Sequence, residues 1–328
     1  MRVLLTGSSG QIGTNLALRL LAGGHEVAAV DKRPNTWTTE FESRTLLQDL
    51  AGHYASFKGG MNGVEYPQVD LVIHLAAHAK VHQLVLQPQR ALENTMMTFN
   101  VLEYCRALEL PLVLSSTREV YGDVHRFDEY GEASADFAYT ESPYSASKIA
   151  SEAFVYSYAK CYGLRYLVFR FSNVYGRYDS DLGRMERVLP LFMHRLSEGA
   201  PITVYGGDEK VLDFTYIDDC VDGIVRGVER LADGRVTNET INLAYGEGNT
   251  LVRAAELISA ELGVVPQITR APSLVGEVTR YVADIRKARD LLDWEPSTPL
   301  AEGIPRAVEW FRDWRAEHPG DAAALPGA

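Results

Sequence analysis

The chain has 328 residues, of which 46% are hydrophobic, so it is long enough and apolar enough to bury a large core. Its formal net charge of −12 disfavours nucleic acids and anionic membranes as partners. No apolar run approaches the roughly 18 residues of a membrane span, and a strand predicted from residue 2 leaves no room for a signal peptide.

The N-terminal segment has the pattern of a dinucleotide site. A short apolar run, Arg2 to Thr6, leads into the glycine-rich turn Gly7-Ser8-Ser9-Gly10-Gln11-Ile12-Gly13, and a helical pattern of apolar residues then ends at Gly23-Gly24. A second predicted strand runs from Glu26 to Val30 and is followed by Asp31. In this order the small residues let the backbone approach a pyrophosphate, and the helix N-terminus offers unpaired N–H groups. The acid can accept hydrogen bonds from ribose hydroxyls.

The turn departs from the usual G-x-G-x-x-G spacing, because its glycines fall at positions 7, 10 and 13. A tight glycine turn without a ligand is the alternative, and the strand, helix and acid in their expected order argue against it. Asp31 favours NAD over NADP, because its carboxylate would repel a 2′-phosphate. Lys32 and Arg33 follow Asp31 directly, and their positive charges could instead attract a 2′-phosphate and favour NADP.

Strand and helix patterns alternate along the following residues, which predicts an α/β fold with a Rossmann-like doubly wound parallel sheet. The predicted elements are the strand Val69 to Leu75, the helix Ala91 to Leu108, the strand Leu112 to Ser115, the helix Tyr144 to Tyr162 and the strand Tyr166 to Phe171. Arg44 to Asp49 reads as a further strand that ends in a second acid, while Gly52 to Tyr66 has no clear pattern. Ligands of such sheets bind at the carboxyl ends of the strands.

Tyr144 and Lys148 lie four residues apart in the run Ser142-Pro143-Tyr144-Ser145-Ala146-Ser147-Lys148, so on a helix they share a face. A free tyrosine has a pKa near 10 and is a poor base at neutral pH. A neighbouring lysine cation favours the phenolate, which predicts a lowered pKa for Tyr144 and a role in acid–base catalysis. The spacing alone is weak evidence, because Tyr-x-x-x-Lys often occurs by chance on a solvated helix face.

A series of motifs covers nearly the entire chain: Thr6 to Gly13, Asp70 to Ala77, Ser115 to Thr117, Val120 to Gly122, Tyr144 to Lys148, Arg170 to Gly176, Ile202 to Gly206, Asp213 to Asp219 and Ala283 to Ala288. In this order they resemble the extended short-chain dehydrogenase/reductases, and more narrowly the NAD-dependent nucleotide-sugar epimerase/dehydratase family. Such a set is far more specific than any one motif. The resemblance implies a Rossmann domain at residues 1–175, to which 205–245 return, a smaller α/β C-terminal substrate lobe at 176–204 and 246–316, and a flexible tail at 317–328.

The resemblance also implies a chemistry. Tyr144 would take the proton from a sugar hydroxyl, usually at C4, as hydride passes to NAD, while Lys148 would hold the nicotinamide ribose and keep the pKa of Tyr144 low. Thr117 would hydrogen-bond the same sugar oxygen and stabilise the charge that develops there; its alternative role is to cap a backbone group at the strand end. Further NAD contacts are expected at Gly7, Gly10, Gln11, Ile12, Gly13, Asp31, Asp49, Leu50, Ala76, Ala77 and Ser115.

A nucleotide-diphosphate sugar is the implied substrate, with contacts expected at His78, Thr117, Arg118, Asn173, Arg187, Val188, Val204, Tyr205 and Arg280. An arginine suits a pyrophosphate because its planar fork donates two hydrogen bonds at once; surface arginines and a core tyrosine are the alternative. The chain reads Leu212-Asp213-Phe214 where many members read Arg-Asp-Phe. A phosphate contact is therefore expected to be missing, or to come from Lys210 or Arg280.

Arg118 and Glu119 bear on the reaction itself. Simple 4-epimerases of the family commonly lack a carboxylate two residues after the hydroxyl of Thr117, whereas sugar dehydratases and UDP-glucuronate decarboxylases resemble this chain in having one. In 4,6-dehydratases an Asp-Glu pair acts, and Arg118 replaces that Asp here. Glu119 could still remove the C5 proton beside a C4 ketone, and Arg118 could face a uronate carboxylate. Alternatively, Arg118 points to solvent and Glu119 forms a structural salt bridge.

Three functional hypotheses therefore stay open from the sequence. The first is an NAD-dependent epimerase that returns hydride to a transient 4-keto sugar, the second is a dehydratase or decarboxylase that uses Glu119, and the third is a non-catalytic nucleotide-binding scaffold. The family often dimerises through the helices found here at Ala91 to Leu108 and Tyr144 to Tyr162, so a homodimer is expected. Three cysteines in no metal-ligand spacing predict reduced core thiols, no bound metal and a cytoplasmic protein: Cys105, Cys161 and Cys220.

Overall fold

Parallel strands form the central sheet of the computed structural model, which describes residues 1–42, 44–52, 60–61, 64–122, 130–135, 140–179 and 187–318. The strands of this part of the chain are β1 (Arg2–Thr6), β2 (Glu26–Asp31), β3 (Leu46–Leu47), β4 (Gly60–Met61), β5 (Val64–Glu65), β6 (Leu71–His74), β7 (Leu112–Thr117), β8 (Tyr166–Phe171), β9 (Asn173–Tyr175), β10 (Ile202–Tyr205), β11 (Val211–Tyr216), β12 (Glu239–Leu243), β13 (Gly248–Thr250) and β14 (Ile268–Ala271). The helices are α1 (Gln11–Ala22), α2 (Thr39–Glu42), α3 (Val81–Leu86), α4 (Gln89–Leu108), α5 (Pro143–Tyr162), α6 (Val188–Ser197), α7 (Ile217–Ala232), α8 (Leu251–Leu262), α9 (Arg286–Leu292) and α10 (Leu300–Glu317).

The central sheet has seven strands in the order β12-β8-β7-β6-β1-β2-β3, and every neighbouring pair is parallel. Val3 of β1, for example, pairs with Val27 of β2 on one side and Leu71 of β6 on the other. The chain builds outwards from β1 in both directions, which confirms the predicted Rossmann-like doubly wound sheet. The strand order therefore reverses between β1 and β6, where such sheets bind their ligands.

Side chains alternate between the two faces of this sheet, so each strand contributes to two separate cores. Val3 and Leu5 pack with Leu16 of α1 and Ile224 of α7. Leu4, between them, packs on the opposite face with Val101 of α4 and Val155 of α5. These side chains are fully buried. The continuous apolar runs of the sequence arise because helices cover both faces of the sheet.

Smaller sheets lie beside the central one. β10 pairs with β14 in parallel, and β11 pairs with β9 in parallel and with β13 in antiparallel orientation. The core cluster that includes α1 and α7 extends into α6, α8 and α10 through Phe192, Ile258 and Phe311. Of the segment 205–245, β12 returns to the central sheet, whereas β11 belongs to a three-stranded sheet. The domain boundaries stay a prediction.

Two details of the structure differ from the sequence-based expectations, and one expectation lies outside the described residues. The strand predicted over 44–49 is reduced to β3, whose two leucines are exposed because it is the edge of the sheet. Cys105 and Cys220 are buried free thiols as expected, but Cys161 is exposed near the end of α5, so it is wrong to place all three in the core. The predicted tail lies outside the described residues from position 319 onward. Among the described helices, none combines the length and the apolar character needed to cross a bilayer.

Candidate active site

The glycine-rich turn joins β1 to α1 at the carboxyl edge of the central sheet. Gly7 has a φ of +75°, and a Cβ there would lie 2.6 Å from the backbone nitrogen of Ala76. A Cβ at Gly13 would lie 2.1 Å from the Gly7 carbonyl oxygen. These two glycines are therefore required by the packing of the turn against itself and against the end of β6.

Gly10 differs from the other two glycines of the turn. A Cβ at this position would meet only the Gly7 carbonyl oxygen, at 3.4 Å, so the protein itself leaves room for a side chain. Gly10 precedes the first residue of α1 and gives that helix no side-chain cap. An open glycine before an uncapped helix N-terminus fits the close approach of a dinucleotide pyrophosphate. On this geometry the residues present fit NAD.

Asp31 ends β2 next to this turn and is 8% exposed. Its carboxylate accepts hydrogen bonds from the backbone N–H of Ser9 and of Arg33, both at 3.0 Å. The carbonyl of Asp31 accepts the N–H of Gln48 at 2.8 Å, which brings the chain after β3 alongside. There Asp49 is exposed, whereas Leu50 is buried. The predicted cofactor residues thus line one edge of the sheet.

Tyr144 and Lys148 are placed by the start of α5. Ser142 and Ser145 form a reciprocal capping box, and Pro143 occupies the first turn, where its missing N–H is not needed. The helix therefore begins immediately before Tyr144, and both side chains point towards the carboxyl end of β7. Tyr144 is 7% exposed and Lys148 is 5% exposed.

The pKa of Tyr144 responds mainly to burial. Burial and, to a smaller extent, the negative charge of Glu119 raise it to about 12, while a hydrogen bond with the Thr117 side chain and the charges of Arg187 and Arg118 oppose the rise. The sequence-based prediction that Lys148 holds this pKa low is therefore wrong for this structure. The ammonium lies 6.0 Å from the centroid of the phenol ring, and desolvation outweighs its influence.

Lys148 reaches the strand that carries Thr117. Its Nζ donates to the carbonyl oxygen of Ser115 at 2.9 Å and to its Oγ at 3.4 Å. Burial lowers the pKa of Lys148 to about 8, and the charge of Glu152 opposes that effect. Thr117 has the capping role weighed from the sequence, because its Oγ1 accepts the N–H of Glu119 at 3.3 Å. Its side chain also hydrogen-bonds Tyr144, and its contact with a sugar oxygen stays a prediction.

Arg118 and Glu119 form an ion pair next to these residues. Nη2 of Arg118 lies 2.8 Å from Oε1 of Glu119, and the two side chains are 12% and 5% exposed. The expectation that Arg118 points to solvent is therefore wrong, whereas the expected salt bridge of Glu119 is present. Within the described residues, the buried Nη1 of Arg118 has no hydrogen-bond partner. A guanidinium with an unused buried N–H can receive an anionic or polar group.

Arg187, immediately before α6, reaches across to the glycine-rich turn. Its Nη1 hydrogen-bonds the side chain of Gln11 and lies 2.7 Å from Oδ1 of Asp179. Burial raises the pKa of Asp179 to about 6, and Arg187 opposes this rise. Because Arg187 also lowers the pKa of Tyr144, the cofactor turn, the phenol and an arginine suited to phosphate lie together.

The remaining predicted substrate residues differ in how accessible they are. Val204 is fully buried, so its side chain is not available to a ligand, whereas Tyr205 is 40% exposed. Asn173 donates its side-chain N–H to the Asp213 carbonyl at 2.9 Å. Arg280 forms a β-bridge with Val211 and is partly exposed, as is Val188 at the first position of α6.

Lys210 and Asp213 both have structural partners within the protein. Lys210 is 4% exposed and lies 2.7 Å from Glu277, so its ammonium is already paired within the protein; a phosphate contact from it stays a prediction. The Asp213 carboxylate accepts backbone N–H groups from Tyr245, Gly246 and Ala283. It is therefore a structural residue that fixes the loop after β12.

His78 and its neighbours occupy the end of β6. The imidazole Nε2 lies 2.6 Å from the carboxylate of Glu93. The pKa of His78 is lowered, mainly by burial and to a smaller extent by the charge of Lys32. Asn94 accepts the N–H of His78 at 2.7 Å and donates to Ser147 at 3.1 Å. Asn94 therefore ties the loop after β6 to α5.

Sequence reasoning missed a buried network beneath the site. Glu152 receives a bidentate pair of hydrogen bonds from Arg170, at 2.9 and 2.7 Å, and one from Ser116 at 2.5 Å. It fixes the strand that carries Thr117 and lies close enough to Lys148 to raise its pKa. The sequence did carry a signal for it, because Glu152 follows Lys148 by four residues and therefore shares its helix face.

Comparisons with known proteins agree with this geometry. The model of the NAD dependent epimerase/dehydratase family matches residues 3–244. The UDP-glucuronic acid decarboxylase 1 of Xenopus tropicalis is 31% identical over 99% of this chain and 75% of its own. A probable UDP-glucuronate 4-epimerase of Rhizobium meliloti is 29% identical over 97% of this chain and 99% of its own. The crystal structure of a Thermus thermophilus UDP-glucose 4-epimerase in complex with NAD superimposes with a TM-score of 0.80, at 30% identity over 95% of this chain and 99% of that one.

Proposed function

The chain belongs to the NAD-dependent epimerase/dehydratase family, and from this membership we propose that it is a nucleotide-sugar 4-epimerase. In this reaction the C4 hydroxyl of the sugar is oxidised to a ketone and reduced again from the opposite face. The proposal assigns acid–base work to Tyr144, contact with the nicotinamide ribose to Lys148 and orientation of the C4 oxygen to Thr117. The proximity of these three side chains supports the assignment.

The proton steps follow from the chain's own groups. NAD, when bound, supplies the hydride acceptor and a positive charge beside the phenol. Tyr144 accepts the proton of the C4 hydroxyl while the C4–H bond of the sugar breaks. It returns a proton to the same oxygen when hydride adds back to the C4 ketone. Thr117 donates a hydrogen bond to the oxygen as charge develops there. Because burial raises the pKa of Tyr144 to about 12, the phenol needs nearby cations to act as a base, and the charges of Arg187 and Arg118 act in that direction.

The observation that carries the choice of epimerisation is the ion pair between Arg118 and Glu119. Dehydration and decarboxylation of a 4-keto sugar are both helped by a further acid or base next to C4, whereas epimerisation at C4 needs none. A carboxylate held by a guanidinium at 2.8 Å is a weaker base than a free one, because the ion pair stabilises its charged form. Glu119 is therefore better suited to neutralising Arg118 than to removing a C5 proton.

A second candidate is a nucleotide-sugar dehydratase or a UDP-glucuronate decarboxylase. It is favoured by the position of Glu119, which is 4% exposed and lies close enough to raise the pKa of Tyr144. If substrate binding drew Arg118 away, this carboxylate would gain basicity beside the reacting carbon. The decarboxylase of Xenopus tropicalis is a relative over nearly the whole chain.

We also propose that the sugar carries a carboxylate at C5, as in a UDP-uronate. The charge of Arg118 lowers the pKa of Tyr144, the residue assigned to the C4 hydroxyl, so the guanidinium lies near the proposed reacting end of the sugar. Its buried Nη1 has no hydrogen-bond partner among the described residues and is available to a carboxylate oxygen. The relatives from Xenopus and Rhizobium are both named for UDP-glucuronate.

One incubation tests the reaction and the substrate together. The NAD-loaded enzyme is given neutral and uronic UDP-sugars, with GDP-, CDP- and dTDP-sugars in parallel, and the products are separated and weighed by mass spectrometry. A new product of unchanged mass supports the 4-epimerase. Loss of water or of carbon dioxide supports the second candidate instead. Arg118→Met removes a contact to the uronate as well as the charge beside Tyr144, so it is expected to lower kcat/KM for the uronate about 10- to 100-fold more than for the neutral sugar.

A homodimer is the proposed assembly. On α4, Leu92, Met96 and Phe99 follow the spacing of one helix face, and Phe99 meets Phe154 of α5 with ring centroids 6.2 Å apart. Leu92 is 74% exposed, Met96 39% and Phe154 38%. An apolar patch shared by two long helices is suited to pairing with the same patch of a second copy.

A further inference from the structure

Four half-buried aromatic side chains, here called the aromatic cluster, meet between the loop after β2 and the helix α10: Trp37, Tyr178, Trp310 and Trp314. The ring centroid of Trp37 lies 6.1 Å from that of Tyr178 and 6.2 Å from those of Trp310 and Trp314. Tyr178 also meets Trp310 edge-on at 5.7 Å. The cluster holds three of the four tryptophans of the chain, so these rings are concentrated at one place outside the main core.

Trp37 is bonded directly to the glycine-rich turn. Its Nε1 donates to the carbonyl oxygen of Ser9 at 3.2 Å, and its backbone N–H donates to Oδ1 of Asn35 at 3.0 Å. The fully buried Asn35 donates in turn to the carbonyl oxygen of Ser8 at 3.2 Å. Ser9 is also the residue whose N–H meets the Asp31 carboxylate. The position of the indole therefore holds the loop that follows Asp31 against the turn suited to the pyrophosphate of NAD.

Tyr178 joins the cluster to the other side of the site. It has a φ of 59°, in the left-handed region that a residue with a Cβ seldom adopts. Its neighbours on both sides are fixed: Arg177 donates to Asn15 of α1 at 3.3 Å, and Asp179 accepts from Arg187 at 2.7 Å. The strained backbone of Tyr178 is thus held in place, and its ring is directed onto Trp37.

The third contribution comes from α10. Trp310 and Trp314 lie four residues apart and share a face of that helix, while Ala307 and Phe311 are buried in the core. Through these two indoles, a helix distant in sequence from the cofactor turn braces the loop after β2. Trp310 contacts that loop through the ring of Trp37 and also packs on Tyr178, so we treat it as a positioning residue.

We propose that the aromatic cluster retains NAD by keeping the loop after Asp31 closed on the glycine-rich turn. Separation of the rings would let the loop leave the turn and the cofactor dissociate. Loss of the contacts of Trp310 with Trp37 and Tyr178 then speeds the release of NAD by about 5- to 100-fold. The inference rests on NAD binding, which the family membership supplies, and not on the epimerase reaction or its substrate.

The test compares three variants of the NAD-loaded full chain. Trp310→Leu removes the ring, Trp310→Phe keeps an aromatic ring at the same place, and Tyr162→Leu removes an exposed ring at the end of α5, far from the cluster in sequence. Free NAD is removed, and NAD released over time is assayed in the filtrate. We expect faster release from Trp310→Leu, release within about twofold of wild type from Trp310→Phe, and no change from Tyr162→Leu.

The unfolding midpoint of each NAD-free variant separates positioning from general destabilisation. Faster release from Trp310→Leu with a midpoint close to wild type supports the proposal. An unchanged rate of NAD release from Trp310→Leu overturns the proposal. A rate that rises only in proportion to the unfolded fraction of the variant also overturns it. Trp37→Phe gives an independent second test, because it keeps a ring in the cluster and removes only the bond to Ser9; it is also expected to release NAD faster than wild type.

Discussion

The guanidinium of Arg118 lies 2.8 Å from the carboxylate of Glu119, directly after the strand that carries Thr117. Both side chains are nearly buried, so neither charge is well solvated and each depends on the other. The pair also acts on the phenol of Tyr144, whose pKa Glu119 raises and Arg118 lowers. Arg118 and Glu119 therefore supply opposite charges to the site. A substrate contact of Arg118 fits epimerisation of a uronate, whereas a substrate contact of Glu119 fits dehydration or decarboxylation.

If Glu119 only neutralises Arg118, Glu119→Gln should leave epimerisation within about tenfold of wild type. If Glu119 were a general base, the same variant would lose about 10²- to 10⁴-fold in kcat. Because the variant leaves a buried guanidinium without its counter-ion, stability is expected to fall by about 3–5 kcal/mol. The double variant Arg118→Met/Glu119→Gln should recover much of that loss. A kcat reduced more than hundredfold in a folded Glu119→Gln enzyme would instead make Glu119 a base.

Lys148→Met should remove activity and yet stabilise the protein at neutral pH. Burial lowers the pKa of Lys148 to about 8 in the folded state, below its ordinary value of 10.5, so the folded protein binds this proton less tightly than the unfolded chain does. The charged lysine therefore costs stability below pH 8, and the cost disappears as the pH rises from 8 towards 10.5. After the lost bond to Ser115 is allowed for, the expected gain at pH 7 is about 1–3 kcal/mol.

Denaturant unfolding of the NAD-free proteins at pH 7 and at pH 9.5 measures this effect. The advantage of Lys148→Met over wild type should be largest at pH 7 and should shrink at pH 9.5. A variant that is less stable than wild type at both pH values would mean that the ammonium contributes more through its bonds to Ser115 than it costs through desolvation.

Two glycines of the same turn should respond differently to alanine. Gly13→Ala places a Cβ 2.1 Å from a backbone oxygen, so it should destabilise the turn and reduce the unfolding midpoint. Gly10→Ala meets only one atom, at 3.4 Å, so the fold should tolerate it. NAD binding should nevertheless weaken at least tenfold in Gly10→Ala, because the methyl group occupies the surface that the pyrophosphate approaches. Titration of each purified variant with NAD, alongside thermal unfolding, distinguishes these outcomes; wild-type NAD affinity in Gly10→Ala would place the cofactor elsewhere.

The proposed dimer can be tested on α4. Leu92→Glu puts a charge into the apolar face shared with α5, so light scattering should report a monomer at concentrations where the wild type is a dimer. Leu86→Glu is the matched control, because Leu86 is also exposed, at 68%, but lies on α3. A wild-type protein that is already monomeric would refute the assembly, and dissociation by both variants would place the interface outside the α4 and α5 face.

Much of this fold could be predicted from sequence because its signals are local. The turn at Gly7 to Gly13 follows from strand, glycine and helix patterns within a short segment, and α5 begins where Ser142 and Pro143 place a cap. Alternation of strands and helices was enough to predict a doubly wound parallel sheet, although not its strand order. The edge strand β3 was harder, because a strand with one neighbour and two exposed leucines carries little apolar pattern.

The site was less predictable, because it depends on long-range contacts and on burial. Spacing placed Tyr144 beside Lys148, but it could not reveal that burial would outweigh the lysine and raise the pKa of the phenol to about 12. The partners of Arg187 and Trp37 are distant in sequence, and pairs such as Lys210 with Glu277 have no local signal. A salt bridge of Glu119 was one of two alternatives, but Arg118 was not predicted to be its partner, since adjacent residues can point apart as easily as together.

The central claim, that hydride leaves C4 and returns to the same carbon, is tested most directly by an isotope label. The nucleotide sugar that the enzyme converts is prepared with deuterium at C4, and the product is analysed by mass spectrometry and NMR. We expect an epimer of unchanged mass that retains the deuterium at C4, and no conversion by Tyr144→Phe. Release of the label to solvent, or a product that has lost water or carbon dioxide, would rule out return of the hydride to C4.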